Sequence, residues 1–147
     1  MIRRQLKGFT LIETLIALMV VTSFVFIPTL ASAPLQKKIE VEQFFTTLEK
    51  RVLASQQAAI TGMLPSEVQI SAHSIYFRTM ISTGIKWANL EIPKELIYTG
   101  TPKIVFAMNS GNNSSLKKMS FYWQAENKVI SYQFQLGSGR YIKKIAE

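Results

Sequence analysis

The sequence predicts an α+β protein: one long N-terminal helix in two halves, followed by a small antiparallel β-sheet on which the second half packs. Three observations lead there. The run from Phe9 to Ala33 holds a single ionisable side chain, Glu13. Between Val41 and Ala59 the apolar residues recur at helical spacing. After Pro65 the chain breaks into short runs rich in β-branched and aromatic residues, separated by turn residues.

Residues 1–8 read as a leader, with Arg3, Arg4 and Lys7 just ahead of the apolar run. A helix over 9–33 rises about 37 Å at about 1.5 Å per residue, enough to cross a hydrocarbon core of about 30 Å. A cleavable secretory signal has a shorter apolar core, and a plain membrane anchor gives no reason to keep Glu13. A carboxylate at a membrane-helix centre costs up to about 3 kcal/mol, so it implies a partner. If the chain is cut between Gly8 and Phe9, the new ammonium at Phe9 stands four residues before Glu13, on the same helix face. That ammonium is unfavourable at a positive helix N-terminus, and a carboxylate in the first turn offsets it. The carboxylate can serve its own amine or that of a neighbouring copy.

Lys7-Gly8-Phe9-Thr10-Leu11-Ile12-Glu13 resembles the type III signal of type IV pilins and pseudopilins. The resemblance covers about the first quarter of the chain. It implies that a membrane prepilin peptidase cuts after Gly8 and methylates Phe9. It also implies that Glu13 provides charge pairing during filament assembly. The alternative is a signal anchor with a stray glutamate. The resemblance gives the orientation too: leader in the cytoplasm, a single pass through the cell membrane, then delivery to a surface filament. Charge counting favours this only slightly, since Lys37 and Lys38 follow the run.

In chain order, 9–33 is the transmembrane half of the helix and 34–62 the amphipathic half. Pro28 and Pro34 each remove a backbone donor, so a kink or a melted turn is expected at Pro28 and a repeat at Pro34. Pilins often carry a proline at this depth, and transmembrane helices tolerate proline in any case. Val41, Phe44, Phe45, Leu48, Val52 and Ala59 form the apolar stripe, with Gly62 as cap and Pro65 preventing resumption.

Residues 63–147 form the β-rich part. Val68–Ile70 and Ile75–Met80 read as a hairpin around Ala72-His73-Ser74, and 85–92 is ambiguous. Lys103–Met108 reads as a strand, followed by a loop over 109–114. Lys117–Gln124 and Val129–Leu136 read as a second hairpin, with Met119, Phe121 and Trp123, then Ile130, Tyr132 and Phe134, on the inner face. Gly137-Ser138-Gly139 is a turn, and Tyr141–Ile145 a last short strand. A long helix followed by such a sheet resembles the pilin fold.

The composition narrows function. The 147 residues leave room for one small domain after the membrane segment. With 0 cysteines, disulfides, thiol nucleophiles and cysteine metal sites are excluded; many pilins close a C-terminal loop with a disulfide, and this chain departs from that pattern. The formal charge of +8 falls by the three leader cations on processing and stays positive, which permits DNA or lipid headgroups as partners without requiring them. Metal-ligand spacing, a phosphate-cradling loop and a nucleophile elbow are missing. The sole histidine, His73, sits in a polar turn and reads as a surface residue. No enzyme activity, cofactor or metal is therefore expected. Asn112-Asn113-Ser114 and Asn113-Ser114-Ser115 match the glycosylation pattern without further support.

Lys117, Lys118, Lys128, Arg140, Lys143 and Lys144 lie among Tyr122, Trp123, Tyr132 and Tyr141. Cations with aromatics suit DNA, through phosphate contacts and stacking, and Lys117, Lys118, Arg140, Lys143 and Lys144 are the candidate contacts. The plainer reading is a solvated surface over an aromatic core. Asn112–Leu116, Tyr132–Tyr141 and Phe44–Glu49 are similar to the minor pseudopilins of the Gram-positive competence pilus. That likeness implies a subunit of a filament for DNA uptake in natural transformation. The implied partners are the prepilin peptidase, other major and minor pseudopilins, membrane lipid and, indirectly, an assembly ATPase and a membrane platform protein. DNA enters as the ligand of a complex. The alternatives are a pseudopilin of a secretion or adhesion filament, and a membrane-anchored binding protein that does not polymerise.

Overall fold

The computed structural model describes residues 10–62, 64–79, 87–113 and 115–147; of 27–33 it describes the backbone alone. Helix α1 spans Leu11–Thr61. Eight strands follow among the described residues: β1 Ser66–Ile70, β2 Ser74–Thr79, β3 Leu90–Glu91, β4 Leu96–Gly100, β5 Lys103–Phe106, β6 Lys118–Trp123, β7 Lys128–Phe134 and β8 Tyr141–Ala146. The chain divides into a unit that ends at Lys38 and a compact body, Ile39–Glu147.

α1 continues through Pro28 and Pro34, so neither ends it and no turn is melted at Pro28. Each proline deletes one hydrogen bond of the ladder, and the turns on either side hold. Described residues from Thr10 to Phe26 and from Pro34 to Glu40 are exposed, and burial begins at Val41. All six residues of the predicted stripe are buried, with Val41, Leu48 and Ala59 fully so. At the C-terminal end Gly62 N–H donates to Ala58 O at 2.8 Å, and Asn109 N–H caps Ala59 O at 3.0 Å.

Where one small sheet was expected, the strands form two four-stranded antiparallel sheets, ordered β3-β2-β1-β5 and β4-β6-β7-β8. The difference arises at β4, to which the sequence reading assigns no strand. Leu96–Gly100 is short and lies between Pro93 and Pro102, and it pairs with β6 from Leu96↔Trp123 to Gly100↔Met119. The next strand, β5, crosses to the other sheet and pairs with β1. The link between them is tied to both sheets: Thr101 N–H donates to Lys118 O at 3.0 Å, and Pro102 O accepts from Ile70 N–H at 2.8 Å. Of the ambiguous stretch, Leu90–Glu91 forms β3 and 80–86 lies outside the described residues.

Both predicted hairpins form, β1–β2 and β6–β7, within a residue or two of their expected bounds. The expected inner faces of β6 and β7 are buried. Phe121 packs edge-on against Phe44 and Phe45, each at 5.5 Å between ring centres, so one strand residue joins two consecutive stripe residues of the helix. Such pairs add about 0.5–1.5 kcal/mol beyond the area they bury.

Candidate functional site

Gly8 and Phe9 lie outside the described residues. Described structure begins at Thr10, whose Oγ1 accepts from Glu13 N–H at 3.4 Å while its carbonyl accepts from Glu13 N–H at 3.0 Å and Thr14 N–H at 3.2 Å. Thr10 is thus the N-cap. Thr10-Leu11-Ile12-Glu13 matches the S/T-x-x-E capping box, a signal the sequence reading missed. The box is half used: among the described residues the Glu13 carboxylate takes no partner, which leaves it available to a charge outside them.

Among the described side chains of the segment, the hydroxyls of Thr14, Thr22 and Ser23 are satisfied by their own helix. Thr14 Oγ1 donates to Leu11 O, Thr22 Oγ1 to Leu18 O and Met19 O, and Ser23 Oγ to Met19 O, at 2.8–2.9 Å. A helix that satisfies its hydroxyls internally suits an apolar surrounding, and Glu13 is the exception. Among the described residues no helix is long and apolar enough to cross a membrane. The run read from sequence, 9–33, includes Phe9 and side chains at 27–33, which lie outside them.

The five candidate DNA contacts do not share one face. Lys143 points to the inner side of its sheet, where its Nζ pairs with Glu49 Oε1 of α1 at 2.8 Å and lies over the Phe45 and Tyr132 rings. Lys117 Nζ donates to Lys103 O at 2.6 Å. Lys118 and Lys144 stand on the outward face of the sheet, and Arg140 is exposed just before β8. Two of the aromatics proposed beside them, Trp123 and Tyr132, are buried in the core. Neither ring is free to stack on a base.

Tyr132 Oη donates to the same Glu49 Oε1 at 2.8 Å, so α1, β7 and β8 meet at one carboxylate oxygen. Burial pushes the Tyr132 phenol far above its usual range, and the bond to Glu49 pushes it further. Tyr141 is raised by burial and by the Glu49 charge, and burial pushes Tyr98 up to about 12.

A second junction closes the far end of the helix. Gln56 Nε2 donates to Gly111 O at 3.3 Å and Ser138 O at 3.2 Å, binding two loops to α1. Gly111 and Gly139 adopt φ of 62° and 63°, and a Cβ on Gly139 would lie 2.0 Å from Gly111 O. The two glycines are there because the loops approach backbone to backbone.

His73 is exposed in the β1–β2 turn, beside a shallow groove of about 350 Å³ that Lys94 and Tyr98 also line. Asn113, in the glycosylation pattern, is 1% exposed and its Oδ1 accepts from Ser115 N–H at 3.1 Å. Among the described residues no group of three or more His, Cys, Asp or Glu is placed to hold a metal ion.

Neither a protein-family model nor a curated protein sequence matches the chain. Among solved structures, the crystal structure of the Pseudomonas aeruginosa type IV minor pilin FimU is similar: 11% identity over 76% of this chain and 92% of that one, with a TM-score of 0.55. The fold is the type IV pilin fold. At that identity the likeness is one of architecture, which in this chain is a long N-terminal helix followed by antiparallel sheets.

Proposed function

We propose that the chain is a minor pilin-like subunit of a surface filament that takes up DNA in natural transformation, of the competence pseudopilin ComGD type. The filament reading is carried by one combination: a pilin fold, Gly8-Phe9 in sequence, and a Glu13 at the helix start that has no partner among the described residues. In this reading the prepilin peptidase cuts after Gly8 and methylates Phe9. A glycine there lets the scissile backbone lie close in a protease site. Cutting also removes three cations that would resist leaving the cytoplasmic side of the membrane. The helix then enters the filament beside those of other pseudopilins, with Glu13 facing the ammonium of Phe9 in its own chain or the next. Its role is structural, without catalysis. The assembly ATPase and platform protein act on it indirectly.

The similar stretches 112–116, 132–141 and 44–49 support the competence assignment over a secretion or adhesion filament. The test is deletion of the gene in a naturally competent host, with complementation by the wild type and by a Gly8 variant bearing a bulky residue. Loss of transformation restored by wild type alone is expected. Normal transformation in the deletion strain would remove the competence role.

A further inference from the structure

We propose that the outward face of the β4-β6-β7-β8 sheet contacts the phosphate backbone of DNA, with Lys118, Arg140 and Lys144 carrying the charge. The proposal rests on the DNA-uptake reading above and assigns it a surface.

Strand register decides what this face holds. The inner positions of β6 and β7 fill the core, so Lys118, Ser120 and Tyr122 of β6 and Val129, Ser131 and Gln133 of β7 face outward. Pairing brings Thr99, Ser120, Ser131 and Lys144 into one row across all four strands. In the next row Lys118 pairs with Gln133, which pairs with Ile142. None of the outward positions on these strands is acidic. The neighbouring carboxylates that form ion pairs are held elsewhere: Glu49 by Lys143, Glu67 by Lys103 and Glu126 by Lys128, at 2.8, 2.8 and 3.0 Å. Lys118, Arg140 and Lys144 form no ion pair among the described residues.

Ser120 and Ser131 are buried, at 7% and 6% exposure, so the donors this face offers are Thr99 and Gln133 beside the uncompensated Lys118 and Lys144, a set that can contact phosphate oxygens. β6 and β8 lie two strand spacings apart, about 10 Å, so Lys118 and Lys144 can reach separate phosphates of one backbone. Trp123 and Tyr132 lie in the core, and the half-buried Tyr122 is held by its hydroxyl on Asn127 Oδ1, so the contact assigned to this face is to phosphates. Binding on this face is therefore indifferent to sequence and falls with salt.

The test uses the full chain in detergent micelles and a fluorescent random-sequence duplex, titrated at several salt concentrations. The wild type is expected to bind at low salt with a linear log–log dependence. Combined Lys118→Gln, Arg140→Gln and Lys144→Gln should reduce the slope by about 0.9 for each phosphate no longer engaged. Lys94→Gln, at an exposed cation off this face, should leave the slope unchanged. Circular dichroism of the triple variant should match wild type, and if it does not, each single variant is titrated separately. The proposal is overturned by absence of wild-type binding at low salt, by an unchanged slope in the folded triple or single variants, or by an equal loss in Lys94→Gln. Displacement of the duplex by poly-glutamate as readily as by unlabelled DNA would also overturn it. A chain that enters filaments but shows no such slopes leaves the filament reading intact and removes this face. The slopes without filament entry do the reverse.

Discussion

Glu49 on α1 and Lys143 on β8, 94 residues apart in the chain, meet at 2.8 Å. The same carboxylate oxygen accepts from the buried Tyr132 hydroxyl, so the last strand of the sheet is tied to the helix through a group that also satisfies the core. Removing the carboxylate strands a buried donor, whereas removing the lysine breaks a partly exposed ion pair. Glu49→Ala should therefore cost about 1–3 kcal/mol. Lys143→Ala should cost about 1 kcal/mol or less. Denaturant unfolding of both variants checks the ordering, and equal losses would contradict it.

The glycines of the C-terminal turn should separate in the same assay. Gly137 has a φ of 75°, and no atom lies within 4 Å of the position a Cβ would take there. Gly137→Ala therefore meets only the left-handed strain of about 1–2 kcal/mol. Gly139→Ala meets that strain and the Gly111 carbonyl at 2.0 Å, which opens the loop junction held by Gln56. A larger loss for Gly139→Ala is expected, and a loss no larger than that of Gly137→Ala would count against the close approach.

Alkaline pH should weaken the body. A phenol whose folded pKa lies above its unfolded value contributes stability that is complete below the unfolded pKa and lost as pH rises through the folded one. Tyr98 is raised from 10.0 to about 12, and Tyr132 and Tyr141 move in the same direction. Stability should hold up to about pH 10 and decline above it. Urea midpoints measured on either side of that pH check the sign, and a midpoint that rises above about pH 10 would refute it.

Glu13→Ala should leave membrane insertion intact, because it makes the run more apolar, and should reduce entry into filaments, where an ammonium would lack its counter-charge. Fractionation of membrane and sheared-filament material distinguishes the two. Normal filament entry would show that the Glu13 carboxylate is dispensable for assembly.

The helical stripe was legible because burial against a sheet demands helical spacing, and all six residues from Val41 to Ala59 obey it. The alternation in β6 and β7 was legible for the equivalent reason at a period of two. β4 was not, since five residues between prolines carry too little periodicity to stand out, and with β4 went the division into two sheets. Lys143 shows the other limit. In sequence it is one of a basic pair with Lys144, and only strand register separates the one on the helix side from the one facing out. Composition gives the number of cations, whereas pairing gives their faces. The Thr10 cap was readable from its spacing to Glu13, but an apolar run with one carboxylate reads first as a membrane segment.

The most direct measurement is the N-terminal mass of the chain recovered from competent cells with and without the prepilin peptidase. With the peptidase, the chain should begin at Phe9 and carry a methyl group on its amine. Without it, residues 1–8 should remain attached. A leader retained in both strains, or removed in both, would contradict the assignment of the chain as a processed pilin-like subunit.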